Sequence, residues 1–483
     1  MEAVASSLST TFHLRLAAIP DDEAASRPRR LHIDADPVAL ERLRATWSPD
    51  VLVEPEIPRL PAVAFPELLA PDTASVRPTV VGIGAALGIT AIGDGRPLAD
   101  ASAVLLLSSL SGTGPGTRVV TTTDAAGHAA FAYDPSQWFA ALVIVTPNDG
   151  FWSWWESAPV DGARIEIPAL PKSGPAAWWG GLVGAGAYSP TRASGIRLGV
   201  IDTGVGPHPY LSHVTSLGSM LGGVYTSTPQ AGLDSGEHGT HVCGILAARP
   251  IDESGDFGGL AAGASVSVIR VFPPDGSANQ GDIADAIDML AREHRVDLIN
   301  LSLGGSAPSQ IELDAIRAAA EQGALCIAAA GNTGGSSLLY PAAYPEVAAV
   351  AAVALVAASP TNATPTLCMP AQADKYAGNL YVGNFSNAGW GMTCAAPGVG
   401  IISTVPARGV VPAPYADLSG TSMATPMVSA CLASALSHDQ LYLSLPRGPE
   451  RTRRASAVLL STLQPLGLSP LLVGHGLTQG AAH

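Results

Sequence analysis

From residue 196 onward, short apolar runs alternate with stretches of helical character, and this alternation limits the fold more than any other feature of the chain. Residues 196–201, 266–271, 296–301, 324–329 and 347–353 are near-continuous apolar runs of strand length. Residues 282–295 and 309–322 fall between them with helical patterning. Strands covered by helices on both faces read this way, because neither face needs polar residues. The expectation is an α/β fold: a mostly parallel sheet with helices on both faces. In such sheets, functional residues gather beyond the carboxyl ends of the strands.

The chain before this region has a different texture. Residues 1–70 read as a small α+β unit, with strands at 11–16 and 30–34. A helix is expected over 37–47, with Val38, Leu40, Leu43 and Trp47 on one face and Pro37 near its first turn. Residues 51–53 read as a strand that 54–58 ends, and the Pro- and Ala-rich stretch 59–77 reads as a linker. Residues 79–170 carry short β-like runs at 104–107, 118–122 and 141–145, with a turn at Asp124-Ala-Ala-Gly127. They predict a β-sandwich within a unit spanning 71–172. Gly95-Arg-Pro-Leu-Ala-Asp-Ala101 and Thr122-Thr-Asp-Ala-Ala-Gly-His-Ala129 resemble the carboxypeptidase-regulatory or transthyretin-like sandwiches, which implies a binding or spacer module. The aromatic clusters Phe151-Trp-Ser-Trp-Trp155 and Trp178-Trp179 are read as packing between this unit and its neighbour, against the alternative of a ligand surface.

Bulk properties exclude several classes of function. The chain has 483 residues, 47% hydrophobic and only 13% charged, which suits large packed cores and not disorder. A net charge of −15 opposes binding to nucleic acid or to an anionic membrane surface. No apolar run reaches membrane-spanning length. The first residues lack a basic segment followed by an apolar core, so a cytoplasmic, monomeric protein is expected, or a secreted one if a signal has been removed. Five cysteines scattered over this length do not form a disulfide framework, although Cys368 and Cys394 are near enough in sequence to pair.

The chemistry-bearing residues fall at the positions the α/β reading favours. Asp202 closes an apolar run and His238 opens a helix-compatible stretch. Asn332 follows another run, and Ser422 stands where small residues give way to an apolar helix. A neutral imidazole can take the serine proton during attack on a carbonyl, and a buried carboxylate can fix its tautomer. The Asn332 amide and the Ser422 backbone N–H can hold the oxyanion. Each residue alone has a plainer explanation, as a turn, a core edge, a helix cap or a loop. Together they form the constellation of nucleophilic acyl transfer.

The surrounding motifs resemble those of the subtilisin-like serine proteases, the subtilases. They are Gly199-Val-Ile-Asp-Thr-Gly204, His238-Gly-Thr-His-Val242, Asn300-Leu-Ser-Leu-Gly-Gly305, Ala329-Ala-Gly-Asn332, Tyr340-Pro-Ala-Ala-Tyr-Pro345, Ala396-Pro-Gly398, Gly420-Thr-Ser-Met-Ala-Thr-Pro426 and Gly474-His-Gly-Leu-Thr478. The order Asp, His, Ser is the known order of subtilisin. The resemblance spans about residues 176–483 and implies a catalytic domain over 173–483. It implies Asp202 as orienting acid, His238 as general base, Ser422 as nucleophile and Asn332 as oxyanion donor. His241 is read as structural. Ser302, Leu303 and Gly304 would pair with an extended substrate, and Ala330 and Gly331 would wall the P1 pocket. Leu339, where the family often has Gly, would shorten that pocket and favour small or medium apolar P1 residues.

The sequence also departs from the family. Met427 replaces the usual His after Pro426, and Tyr210 replaces an Asp that often ligates calcium. The catalysis implied needs no cofactor. A structural calcium could sit at Asp252, Glu253 and Asp256, although a solvated acidic loop is the plainer reading. Cys243, close after His238, is read as a small core hydrophobe, with thiol sensitivity as the alternative. Residues 1–70 resemble a subtilase propeptide, with a cleavage position near 57–75 or 172–190, or else a propeptide-like domain that is never removed. The expected function is a serine endopeptidase acting on polypeptides. The alternatives are a dedicated protease maturing one precursor peptide, or an inactive binding module using the β-sandwich.

Overall fold

The computed structural model describes residues 15–16, 33–34, 52–64, 87–111, 116–171, 178–251, 257–274, 276–407 and 414–480. Arg15–Leu16 pairs antiparallel with Ile33–Asp34, inside two of the runs read as strands. The expected helix at 37–47 and the acidic group Asp252, Glu253 and Asp256 lie outside the described residues, as does the part of the expected linker at 65–77.

Residues 59–61 are not linker but belong to a strand, Pro58–Pro61 (β1). The short run at 52–53 is not a strand. Proline is tolerated in β1 because the strand is short and its pairing with each neighbour covers only two residues.

Residues 87–166 form two four-stranded sheets. One holds Leu87–Gly93, Arg96–Pro97, His128–Phe131 and Ala163–Glu166; the other holds Ser102–Ser109, Thr117–Thr122, Trp138–Thr146 and Trp154–Ser157. Leu87, Ile89 and Phe131 from the first meet Ala103, Leu105, Val143 and Val145 from the second in one apolar core. The alternation of strand side chains between two faces supplies that core. Past it, Trp152 and Trp179 are buried in the core of the following region, and Trp155 donates its indole N–H to Thr366 Oγ1 at 3.0 Å. The tryptophans therefore fill the seam between the two regions.

The remainder is built on a ten-stranded sheet. Its centre contains Arg197–Asp202 (β2), Ser265–Arg270 (β3), Leu298–Leu301 (β4), Leu325–Ala329 (β5) and Ala348–Leu355 (β6), in the spatial order β3, β2, β4, β5, β6 and all parallel. Antiparallel strands occur at its margins, at Val224–Thr226, Leu380–Val382 and Tyr376–Ala377. Helices His238–Ala247 (α1) and Thr421–His438 (α2) pack on one face, and Gln280–Arg292 (α3) and Gln310–Glu321 (α4) on the other. The strand period shows in the cores themselves. Leu325 and Ile327 join the core beneath α1 and α2, while Cys326 and Ala328 join that beneath α3 and α4. All five cysteines are free and buried, so Cys368 and Cys394 do not pair, and Cys243 is wholly enclosed.

Candidate active site

Asp202 is the last residue of β2 and is completely buried. Its Oδ1 lies 2.6 Å from His238 Nδ1, at the first turn of α1. The same oxygen accepts the backbone N–H of Thr203 at 2.7 Å. Asp234 braces this corner without touching the imidazole: its carboxylate accepts from Thr203 Oγ1 at 2.7 Å and from the Thr240 backbone N–H at 2.8 Å. Burial alone would push the His238 imidazole down, but the carboxylates of Asp202, Asp234 and Glu237 outweigh it, and its pKa moves upward from 6.5. His241, on the same helix, sits against the carbonyls of Ile401 and Ala416, and burial lowers its pKa to about 3. It is a structural, neutral histidine.

Ser422 lies in the first turn of α2, a helix buried along almost its whole length. Pro426 sits inside that helix and has no N–H for the Ser422 carbonyl. Ser302 Oγ supplies the missing donor at 2.9 Å, while its own oxygen accepts from Asn300 Nδ2 at 2.9 Å. The Ser422 hydroxyl donates to the Ser302 carbonyl at 2.8 Å, and His238 Nε2 is buried without a partner. The serine–imidazole hydrogen bond is thus not made in this conformation. Asn332 follows β5; its Oδ1 accepts from Thr421 N–H and Oγ1 at 2.9 and 2.8 Å, and its Nδ2 is buried and unpaired.

The cleft between these groups is occupied by the chain itself. β1 pairs antiparallel with Leu303–Gly304 on one side and Ala278–Asn279 on the other. The Ala62 N–H donates to the Ser302 carbonyl at 3.1 Å, and the Ala62 carbonyl accepts the Ser422 N–H at 3.2 Å. Ala64 N–H then reaches the Ser419 carbonyl at 2.8 Å. A methyl built on Gly420 would fall 2.4 Å from the Ala62 oxygen and 3.1 Å from Asn332 Nδ2, so both atoms crowd one face of that glycine. The Ala62–Val63 peptide therefore lies at the serine, its carbonyl accepting the Ser422 N–H. A cavity of about 300 Å³ beside it is lined by Pro61, Val63, His238 and Phe272, among others.

The sequence profile of the subtilase family matches residues 193–474. This chain belongs to the subtilase family. Subtilisin BL of Lederbergia lenta is 33% identical over 279 residues, covering 58% of this chain and 84% of that protein. The major intracellular serine protease of Bacillus subtilis is 31% identical over 297 residues, 59% of this chain and 81% of the relative. The thermophilic serine proteinase of Bacillus sp. strain AK1 is 34% identical over 262 residues, 54% of this chain and 57% of its own length. The family is one of serine-type endopeptidases, and the two-sheet region precedes the matched segment.

Within this subtilase, Asp202 holds His238, Asn332 bonds Thr421 next to Ser422, and Ser302, Leu303 and Gly304 form one wall of the cleft. Leu339 stands between two glycines: methyls built on Gly331 and Gly304 would lie 2.6 and 3.2 Å from its atoms. Ala330 is buried behind it and accepts the Leu339 N–H. Among the described residues no cluster of three or more His, Cys, Asp or Glu is placed to hold a metal ion. Sequence reading missed Asp234, Gln280, Glu312 and the segment 58–64. Asp234 acts through threonine hydroxyls and backbone N–H groups and Gln280 through backbone groups, and neither leaves a motif. Gln280 accepts the Ile57 N–H and donates to the Pro55 carbonyl, both at 2.7 Å.

Proposed function

We propose that this subtilase is a serine endopeptidase in which Ser422 is the nucleophile, His238 the general base, Asp202 the group that orients it and Asn332 an oxyanion donor. The observation that carries this is the Ala62–Val63 peptide, hydrogen-bonded through its carbonyl to Ser422 N–H and directly following Leu60 and Pro61, which are strand-paired to Gly304 and Leu303. That is how a substrate backbone must be held for attack at Ala62.

The chemistry follows from the partners. With Nδ1 held by Asp202, the neutral imidazole offers Nε2 as a base. The Ser422 hydroxyl turns from the Ser302 carbonyl toward Nε2 and attacks the carbonyl carbon, passing its proton to His238. The oxygen gains charge where Ser422 N–H and Asn332 Nδ2 converge. His238 then protonates the departing amine, and water, deprotonated by His238, releases the acyl group. Leu339 favours small P1 side chains in this reading, and Ala62 is one. Residues 1–70 act as a propeptide-like region, and the two-sheet region is a sandwich-type spacer or binding module of the protease.

Intact mass before and after treatment with a fluorophosphonate tests the assignment. Wild type gains one adduct on Ser422 and Ser422→Ala gains none; loss of activity in Ser422→Ala is about 10⁶-fold, the size known for subtilisin. A wild-type adduct on any other residue overturns the nucleophile.

A further inference from the structure

The residue four places toward the N-terminus from position 63 is Arg59, and it is completely buried. Its guanidinium meets the carboxylate of Glu312, itself completely buried, with Nε–Oε1 at 3.1 Å and Nη2–Oε2 at 2.8 Å. Neighbouring Leu60 is 58% exposed. A bidentate pair of this kind is the geometry by which a carboxylate selects arginine over lysine or a neutral side chain. Burial pushes the Glu312 carboxyl upward, and Arg59 pulls against that shift. Gly305 leaves the entry open: a methyl there would lie 2.5 Å from the Pro58 carbonyl and 3.0 Å from Arg59 Nη1.

The geometry points to Glu312 as the specificity-determining residue of this protease, selecting an arginine at P4; the cut that the propeptide-like reading already implies falls, in this register, at Ala62–Val63. This rests on the serine-endopeptidase reading above. Register fixes the subsites. Ala62 is P1, Pro61 P2, Leu60 P3 and Arg59 P4, and the preferred substrates are extended peptides of the form Arg-Xaa-Pro-Ala. In the self-cleavage, Ser422 Oγ forms an ester with the Ala62 carbonyl carbon as the bond to Val63 nitrogen breaks. The serine proton passes through His238 to that nitrogen. Water then hydrolyses the ester, leaving a carboxylate on Ala62 and a chain that begins at Val63.

Why a buried carboxylate should discriminate so strongly follows from what it loses without its partner. A neutral P4 side chain leaves Glu312 facing an apolar group, and an acidic one adds repulsion. The experiment uses the full chain. Its processed products are sequenced at the new N-terminus, active sites are counted with a fluorophosphonate, and two fluorogenic peptides are compared, Arg-Leu-Pro-Ala and Leu-Leu-Pro-Ala ahead of the reporter. Expected are an N-terminus at Val63 and a kcat/KM ratio favouring the arginine peptide by about 100-fold. In Glu312→Gln the ratio, measured per titrated site, collapses toward unity. An N-terminus elsewhere overturns the self-cleavage bond. A wild-type ratio near one, in enzyme that titrates normally, overturns the role of Glu312 and leaves the catalytic reading standing. If wild type neither titrates nor processes, the catalytic reading fails and this inference with it.

Discussion

The two ends of the cleft treat their polar atoms in opposite ways. Around Ser422, three buried atoms lack partners: Asp202 Oδ2, His238 Nε2 and Asn332 Nδ2. At the far end, Arg59 and Glu312 satisfy each other with two hydrogen bonds and no exposure. A group left unpaired in the resting state has its hydrogen-bonding capacity in reserve for charge that appears only during reaction. A group paired at rest contributes equally before and during it. The first kind raises turnover, and the second raises affinity and selectivity.

The comparison can be broken most severely at Asp202. Asp202→Asn keeps the shape but can present an N–H to His238 Nδ1, forcing the wrong tautomer, and about 10⁴-fold loss of kcat is expected with little change in KM. In wild type the acid limb of kcat/KM is governed by the His238 pKa, which lies above 6.5, because the neutral imidazole is the base and the neighbouring carboxylates favour its protonated form. Activity is therefore lost as pH falls through that raised value; a limb below pH 6 would count against His238 as base. Asn332→Ala removes one oxyanion donor and should cost about 10²–10³ in kcat, the size established for this donor in subtilisin. Single-turnover kinetics distinguish this from weakened binding, which the comparison assigns to the other end. The smallest effect is expected at Leu339. Leu339→Gly lengthens the P1 pocket and should shift the ratio of leucine to alanine cleavage by about 10-fold, read from P1-varied peptides.

The positions of the proposed catalytic residues were legible in the sequence and the Arg59–Glu312 pair was not, for physical reasons. Asp202, His238, Asn332 and Ser422 sit at strand ends or helix starts, where local patterning marks the position. The buried strands were equally legible, and their boundaries moved by only a residue or two, as with Arg197–Asp202. The strand Pro58–Pro61 was not legible. Its two prolines and lack of alternation read as linker, and its partners lie more than two hundred residues away in sequence. Glu312 was masked by a plainer role. Ser309-Gln-Ile-Glu312 has the spacing of a helix capping box, and Ser309 Oγ does accept the Glu312 N–H at 3.1 Å. The carboxylate, however, turns to Arg59 instead of closing the box, while the Ser309 N–H goes to the Tyr344 hydroxyl. Only the fold reveals that choice.

The threading of residues 58–64 through the cleft also bears on timing. While the segment is covalently part of the chain, it competes with any incoming peptide at an effective concentration of about millimolar, whatever the amount of protein present. If the proposed cut parts Ala62 from Val63, the released piece obeys mass action, and its hold weakens with dilution. A crowded population of these molecules would stay quiet and a sparse one would wake, so that the same cut yields a latent or a working enzyme according to how many copies share the volume.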